Sequence, residues 1–379
     1  MSSITDLFSS ASSSLGTLFT KKPQAILGID IGASSIKLVE LKKDKGVLTL
    51  GTYGEVALGP YAQKEVGVLV QSDPDIIAQA LIDVLKESHS TATHAIISIQ
   101  SSASLVFVIQ LPMQALSSLD SVVPNEARKY IPVPLSEVSL NWNVVPDHIQ
   151  HRYELEAQEN TSTHLSPSNE RDILVAAIRN DALSGYRNII AQAGLTVQGM
   201  EIEIFSILRS LYHHELTPFA IVDIGASGVR IAIVHYGMVM QYDVAVRGSE
   251  SWTQSLMRSL DISFTKAEEL KRTVGLSGTM SDVVNTLQVG VSRLLQDIRT
   301  SIQKYEQTHH VVVDHIILSG GGARMPGLLE HMKSQFDVAI QQAEPFEMVD
   351  VPGFLGPVLE SVGPEFACAV GAALKGFNG

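Results

Sequence analysis

Two stretches of the chain share one pattern: an apolar, β-branched run, a short turn of small residues, and a second run in which apolar and polar positions alternate. The first is Ile26 to Leu41 and the second Ala220 to Val234. Each contains Asp-Ile-Gly-Ala-Ser, beginning at Asp30 and at Asp223. A period of two sends alternate side chains to opposite faces, so each stretch predicts a β-hairpin. A third stretch, His315 to Leu329, predicts a buried strand ending in Gly320, Gly321 and Gly322, then a helix opened by Pro326-Gly327. The polar stretch Asp147 to Asp172 predicts an exposed hairpin or loop. No run reaches the ~18 apolar residues of a membrane span.

The repeat gives these turns a chemistry. Small residues at a hairpin tip let backbone N–H groups converge on an anion. An aspartate at the end of the first strand is the hard oxygen ligand that hydrated Mg²⁺ prefers. Consecutive glycines after a strand let a flat nucleoside approach the backbone. Two phosphate hairpins and one nucleoside turn, in that order, predict an adenine-nucleotide site.

Composition narrows the field. At 379 residues, with 45% hydrophobic and 18% charged residues, the chain suits two packed lobes. Its formal net charge of −13 is the wrong sign for gripping a phosphate backbone, so nucleic acid is not an expected partner. The single cysteine, Cys368, excludes an internal disulfide and any cysteine-based zinc site, and reads as a small buried hydrophobe. Adjacent histidines at His213-His214 and His309-His310 point apart on helix or strand and do not predict a shared metal. Residues 1–23 are Ser-rich, with Ile4, Leu7, Phe8, Leu15 and Phe19 dispersed among polar positions, which reads as a flexible tail with a weak amphipathic tendency or, alternatively, as a membrane-surface or partner-binding helix, without the order of a secretory signal. The expected compartment is the cytoplasm.

The three motifs resemble the phosphate-1, phosphate-2 and adenosine motifs of the actin, sugar-kinase and heat-shock chaperone ATPase superfamily, and most closely its PilM and FtsA branch. Glu126-Ala127-Arg128-Lys129-Tyr130-Ile131-Pro132-Val133-Pro134-Leu135, Ala267-Glu268-Glu269-Leu270-Lys271 and the stretch Phe366 to Gly376 carry the likeness to PilM. The resemblance implies an α/β, actin-like fold of two lobes, residues 24–205 and 206–379, with an extra subdomain at about 100–192. It implies ATP with Mg²⁺ as cofactors. Asp30 would hold Mg²⁺ through water, with the backbone of Gly32, Ala33, Ser34 and Ser35, and Lys37, around the phosphates. Asp223 would orient water at the γ-phosphate, with Gly225, Ala226 and Ser227 lining the second loop. Gly320, Gly321, Gly322 and Arg324 would contact adenosine, with Glu268 and Lys271 at the ribose or base. Glu201 or Glu203 would be the water-positioning acid. Gly228 follows Ser227 where many relatives carry a second hydroxyl, so binding is expected ahead of turnover.

As for function, the resemblance implies a scaffold of type IV pilus assembly, peripheral at the inner membrane through its partner. It would capture the cytoplasmic N-terminal peptide of a PilN-like protein in a groove between lobe one and the extra subdomain, with nucleotide state setting the lobe angle; residues 100–140 are our own expectation for the groove's lining. Pilus motor or platform components and further copies of the chain are additional candidate partners. Two other readings share the fold. An FtsA-like filament protein normally ends in an amphipathic membrane helix, whereas this sequence ends at Lys375-Gly376-Phe377-Asn378-Gly379. A small-molecule kinase needs a catalytic base in the insert, where none stands out.

Overall fold

The computed structural model describes residues 24–70, 73–147, 149, 152 and 169–377. The Ser-rich leader and most of the polar stretch from Asp147 to Asp172 lie outside them.

The chain opens with a meander of β1 (Ala25–Ile31), β2 (Ser35–Asp44) and β3 (Val47–Ala57). Helix α1 (Pro74–Glu87) follows; Asp73 caps it by accepting from the Asp75 N–H, and its apolar stripe of Ile77, Leu81 and Val84 packs on the meander. Next comes β4 (His94–Ile99), which pairs in parallel with β1. An excursion then forms a separate antiparallel sheet from β5 (Ser104–Pro112), β6 (Val138–Val144) and β7 (Glu170–Arg179), with α2 (Leu119–Ala127) between β5 and β6. This third sheet has its own small core around Ile109, Val123, Ile131 and Val175. The chain returns through α3 (Asn180–Gln192), which packs on α1, to β8 (Thr196–Ile202), completing a sheet of order β3-β2-β1-β4-β8.

Helix α4 (Glu203–Leu211) leads to the second half, where β9 (Phe219–Ile224), β10 (Val229–His235) and β11 (Met238–Ala245) repeat the meander. Helices α5 (Glu250–Leu260), α6 (Phe264–Thr273) and α7 (Ser281–His309) pack together before β12 (His315–Ser319), α8 (Leu328–Lys333) and β13 (Ala339–Gln342). The second sheet has order β11-β10-β9-β12-β13, the same plan as the first. In both, the first strand is flanked antiparallel on one side and parallel on the other. β9 is buried along its whole length, as expected of a central strand covered on both faces.

The last helix, α9 (Gly356–Lys375), follows the second sheet in the chain yet covers the first. Its Phe366, Ala369, Val370 and Ala373 close over Val39 and Leu41 of β2. It also crosses α4 so closely that a Cβ on Gly371 would overlap the backbone of Ser206. The buried Glu201 pins that crossing. It accepts from Ser206 Oγ at 2.6 Å, from Arg209 Nη2 at 2.9 Å and from Lys375 Nζ at 3.0 Å.

Candidate functional site

Both predicted hairpins form, and their tips face each other across the cleft between the two lobes. In each, the tip is closed by the same bond: Gly32 N–H donates to Ser35 C=O at 2.9 Å, and Gly225 N–H to Gly228 C=O at 3.0 Å. This corrects the expectation for Gly32, because an N–H that closes the turn is not left to a phosphate. The tip carbonyls are also held. Ala33 and Ser34 accept from Val70 and Leu58, and Gly225 and Ala226 accept from Ser249 and Glu250, all at 2.9–3.1 Å.

Strand register decides what surrounds each aspartate. Asp30 stands opposite Lys37 on β2 and beside Ser98 on β4, whose Oγ donates to Oδ1 at 3.0 Å. Asp223 stands opposite Arg230 on β10, which bonds it directly, and beside Ser319 on β12. The two cations therefore sit at the same offset from their aspartates. Lys37 Nζ is 3.0 Å from Glu55 Oε1 and donates to Ser35 Oγ at 2.7 Å.

The glycine turn completes the cleft. Gly320 has φ of 84°, and a Cβ there would come 2.6 Å from Ile224 O and 2.7 Å from Asp223 Oδ1. Only glycine fits that backbone and that approach together. Its N–H donates to Pro364 C=O at 2.7 Å, tying the turn to α9. Gly321–Arg324 forms a 3₁₀ turn, so the helix proper begins later, at Leu328. Arg324 pairs with Glu365 of α9.

The resulting cleft has a volume of about 360 Å³ and is lined from both lobes. Every site residue expected from the sequence except Glu201 lies on it: Asp30, Gly32, Ala33, Ser34, Ser35, Lys37, Glu203, Asp223, Gly225, Ala226, Ser227, Glu268, Lys271, Gly320, Gly321, Gly322 and Arg324. Glu201, the alternative to Glu203, is turned away into the Arg209–Lys375 network. Glu203 faces the cleft, accepting from the Ser101 N–H at 2.8 Å and lying 3.3 Å from Arg230 Nε. Glu268 and Lys271 line the wall but are occupied with each other at 2.7 Å, and Glu268 also accepts from Thr253 at 2.6 Å and Arg272 at 2.7 Å.

Burial sets the electrostatics. It raises the pKa of Asp30 against the pull of Lys37, and that of Glu203 against the pull of Arg230. Loss of water opposes the charge on Lys37, but Glu55, Glu365 and Asp30 outweigh it and raise its pKa. Arg230 is likewise desolvated and is held charged by Asp223 and Glu203. Motif reasoning alone misses Arg230, Glu55, Glu365 and Arg272, all of which line the cleft. Arg230 is within its reach, because Lys37 marks the same place in the repeat.

A family model described as type IV pilus assembly protein PilM matches residues 28–377. Among solved structures, a chain of a PilM-PilN type IV pilus biogenesis complex is 24% identical with a TM-score of 0.77, covering 94% of this chain and 99% of that one. The ethanolamine utilization protein EutJ from Carboxydothermus hydrogenoformans is 14% identical with a TM-score of 0.52, over 93% of this chain and 90% of its own. A chain of the MamK double helical filament is also 14% identical, with a TM-score of 0.50 over 92% and 98%.

Proposed function

This chain belongs to the PilM family of type IV pilus assembly proteins and has an actin-like fold, and from that premise we propose that it is an ATP-binding pilus scaffold. In this reading it holds ATP with Mg²⁺ in the interlobe cleft. Its third-sheet subdomain receives the cytoplasmic N-terminal peptide of a PilN-like inner-membrane protein. The carrying observation is the convergence of two matched Asp-Ile-Gly-Ala-Ser hairpins and a glycine turn on one cleft.

The residues present fit the nucleotide. A volume of about 360 Å³ falls in the range of small-molecule sites. Lys37, Arg230, Lys271, Arg272 and Arg324 supply positive charge, but Asp30, Glu55, Glu203, Asp223, Glu250, Glu268 and Glu365 outnumber them. A polyphosphate entering such a cleft needs a divalent cation, and Asp30 is the residue to hold it through water. Mg²⁺, when bound, neutralises phosphate charge. In this reading Asp223 and Glu203 orient water, and Arg230 pairs with both; Gly228 after Ser227, in place of a second hydroxyl, supports slow turnover at most.

For the peptide, the third sheet offers edge strands for backbone pairing and an aromatic step beside them. Tyr130 is 49% exposed and stacks on Phe107 with ring centroids 4.8 Å apart. Among the described residues no helix is long and apolar enough to cross a membrane, consistent with attachment through the partner. The test is a titration of the protein, first with Mg·ATP and then with a fluorescent peptide of the PilN-like N-terminus. Saturable binding that a scrambled peptide lacks, weakened about 10-fold by Tyr130→Ser, supports the reading. No peptide binding with ATP verifiably bound would overturn the PilN assignment, and sedimentation with ATP would then test a filament instead.

A further inference from the structure

The two hairpins carry their cation at the same offset but satisfy it differently. Lys37 has Glu55 as its neighbour across β2 and β3, so its direct ion pair lies inside the first lobe. The corresponding neighbour of Arg230 across β10 and β11 is Val244, which offers no carboxylate. The guanidinium instead bonds Asp223 of its own hairpin and turns across the cleft to Glu203, the first residue of α4 in the other lobe.

That second contact is incomplete. Arg230 Nε lies 3.3 Å from Glu203 Oε1, yet it is buried and makes no hydrogen bond among the described residues. The same guanidinium lies over the tip of the second hairpin, where a Cβ on Gly225 would come 2.7 Å from Nη1. A planar fork of N–H donors, held at a phosphate hairpin with one buried donor unused, matches an incoming phosphate oxygen better than a carboxylate already bonded to Ser101.

We propose that Arg230 is a terminal-phosphate sensor: without a γ-phosphate it clasps Asp223 and Glu203 across the cleft, and with ATP bound it transfers to that phosphate and frees Glu203. This rests on the reading of the cleft as an ATP site. The transfer would make the protein distinguish ATP from ADP, because the group that Arg230 takes is the γ-phosphate that ADP lacks. It also couples nucleotide state to the lobes, because the carboxylate released begins α4, the helix that crosses α9 at Gly371. Lys37 cannot report in this way, since its partner Glu55 moves with its own hairpin.

The test measures Mg·ATP and Mg·ADP affinities of the full chain by calorimetry, for wild type, Arg230→Gln, Arg230→Lys and Glu203→Gln. Charged hydrogen bonds of this kind correspond to roughly 10–100-fold in affinity, which Arg230→Gln should remove from ATP while leaving ADP within about 3-fold. Arg230→Lys should restore part of the ATP preference. Glu203→Gln, which removes the competitor, should tighten ATP several-fold and leave ADP unchanged. Hydrogen exchange gives an independent readout: ATP should speed exchange around Ser101 and Glu203 in wild type, whereas apo Arg230→Gln should already exchange fast there.

Equal weakening of ATP and ADP by Arg230→Gln, or no weakening of either, would overturn the sensor while leaving the ATP site standing. Should Arg230→Gln fail to fold, Glu203→Gln with unchanged ATP affinity, or wild-type exchange unmoved by ATP, overturns the sensor equally. Wild type that binds neither nucleotide would sink the ATP reading itself, and the sensor with it.

Discussion

The two lobes are built on one plan, and the positions where they differ show what each half does. Both carry a three-stranded meander, a parallel neighbour and an Asp-Ile-Gly-Ala-Ser turn. At the edge of the second sheet, Ala343 follows β13 where Glu201 stands in the first. On β10, Ile233 holds the place that Glu40 holds on β2. After β12, Gly320 takes the position of the buried Ile99. The first lobe thus uses buried polar groups to hold its helices. The second places its exceptional backbone position at the cleft. A duplicated fold keeps its hydrogen-bond ladder and diverges where a side chain leaves the sheet.

The largest expected difference between the lobes is at Glu201. Glu201→Ala leaves Arg209 and Lys375 buried without their carboxylate, and should cost about 3–5 kcal/mol in denaturant unfolding. Its counterpart Ala343 exchanged for Gly should cost only about 1 kcal/mol. A loss below about 1 kcal/mol at Glu201 would mean that the α4–α9 crossing is held by packing alone.

The next effect separates Gly320 from Ile99. Gly320→Ala forces a Cβ at φ of 84° against Asp223, and should lose about 1–3 kcal/mol together with measurable nucleotide binding. Ile99→Val should lose about 1 kcal/mol and keep binding. Unfolding and ATP titration on the same two variants read both effects.

The smallest is the order in which the lobes yield to acid. Burial, with a contribution from His309, holds the His235 imidazole of β10 down at about 4, against 6.5 when exposed. The unfolded chain then binds the extra proton, so stability falls as pH drops from about 6.5 to 4. Burial pushes the Glu40 carboxyl up. Hydrogen bonds from Ser90, Lys42, Ala92 and Thr91 overcome it and hold the group at about 2, against 4.5. Its contribution is complete above 4.5 and disappears only between 4.5 and 2. Hydrogen exchange at about pH 5 should therefore loosen β10 before β2, and His235→Phe should remove the difference. Equal protection in both strands would refute the ordering.

Much of this was legible in the chain. The hairpins announce themselves because a period-two pattern and a small-residue turn occur twice with the same five residues. The glycine turn is readable because three glycines follow a buried run. What surrounds them was not readable, because Glu55 and Glu365 reach Lys37 from opposite ends of the sequence. Arg230, met alone on a strand, looks like any solvated cation until register places it opposite Asp223. Gly32 illustrates a different limit: its residue type marks the turn, but only the closed ring shows that its N–H is already engaged. Glu201 and Glu203 were indistinguishable by composition; the start of α4 turns one outward to the cleft and the other into a buried network.

The position of α9 has a consequence for synthesis. The face of the first sheet formed by Val39 and Leu41 is covered by residues near the other end of the chain, Phe366 to Leu374. A ribosome delivering the chain from its N-terminus therefore completes the first sheet's strands long before their cover exists. The chain itself leaves that apolar face uncovered until Phe366 to Leu374 have emerged. The lobe encoded first is the one finished last.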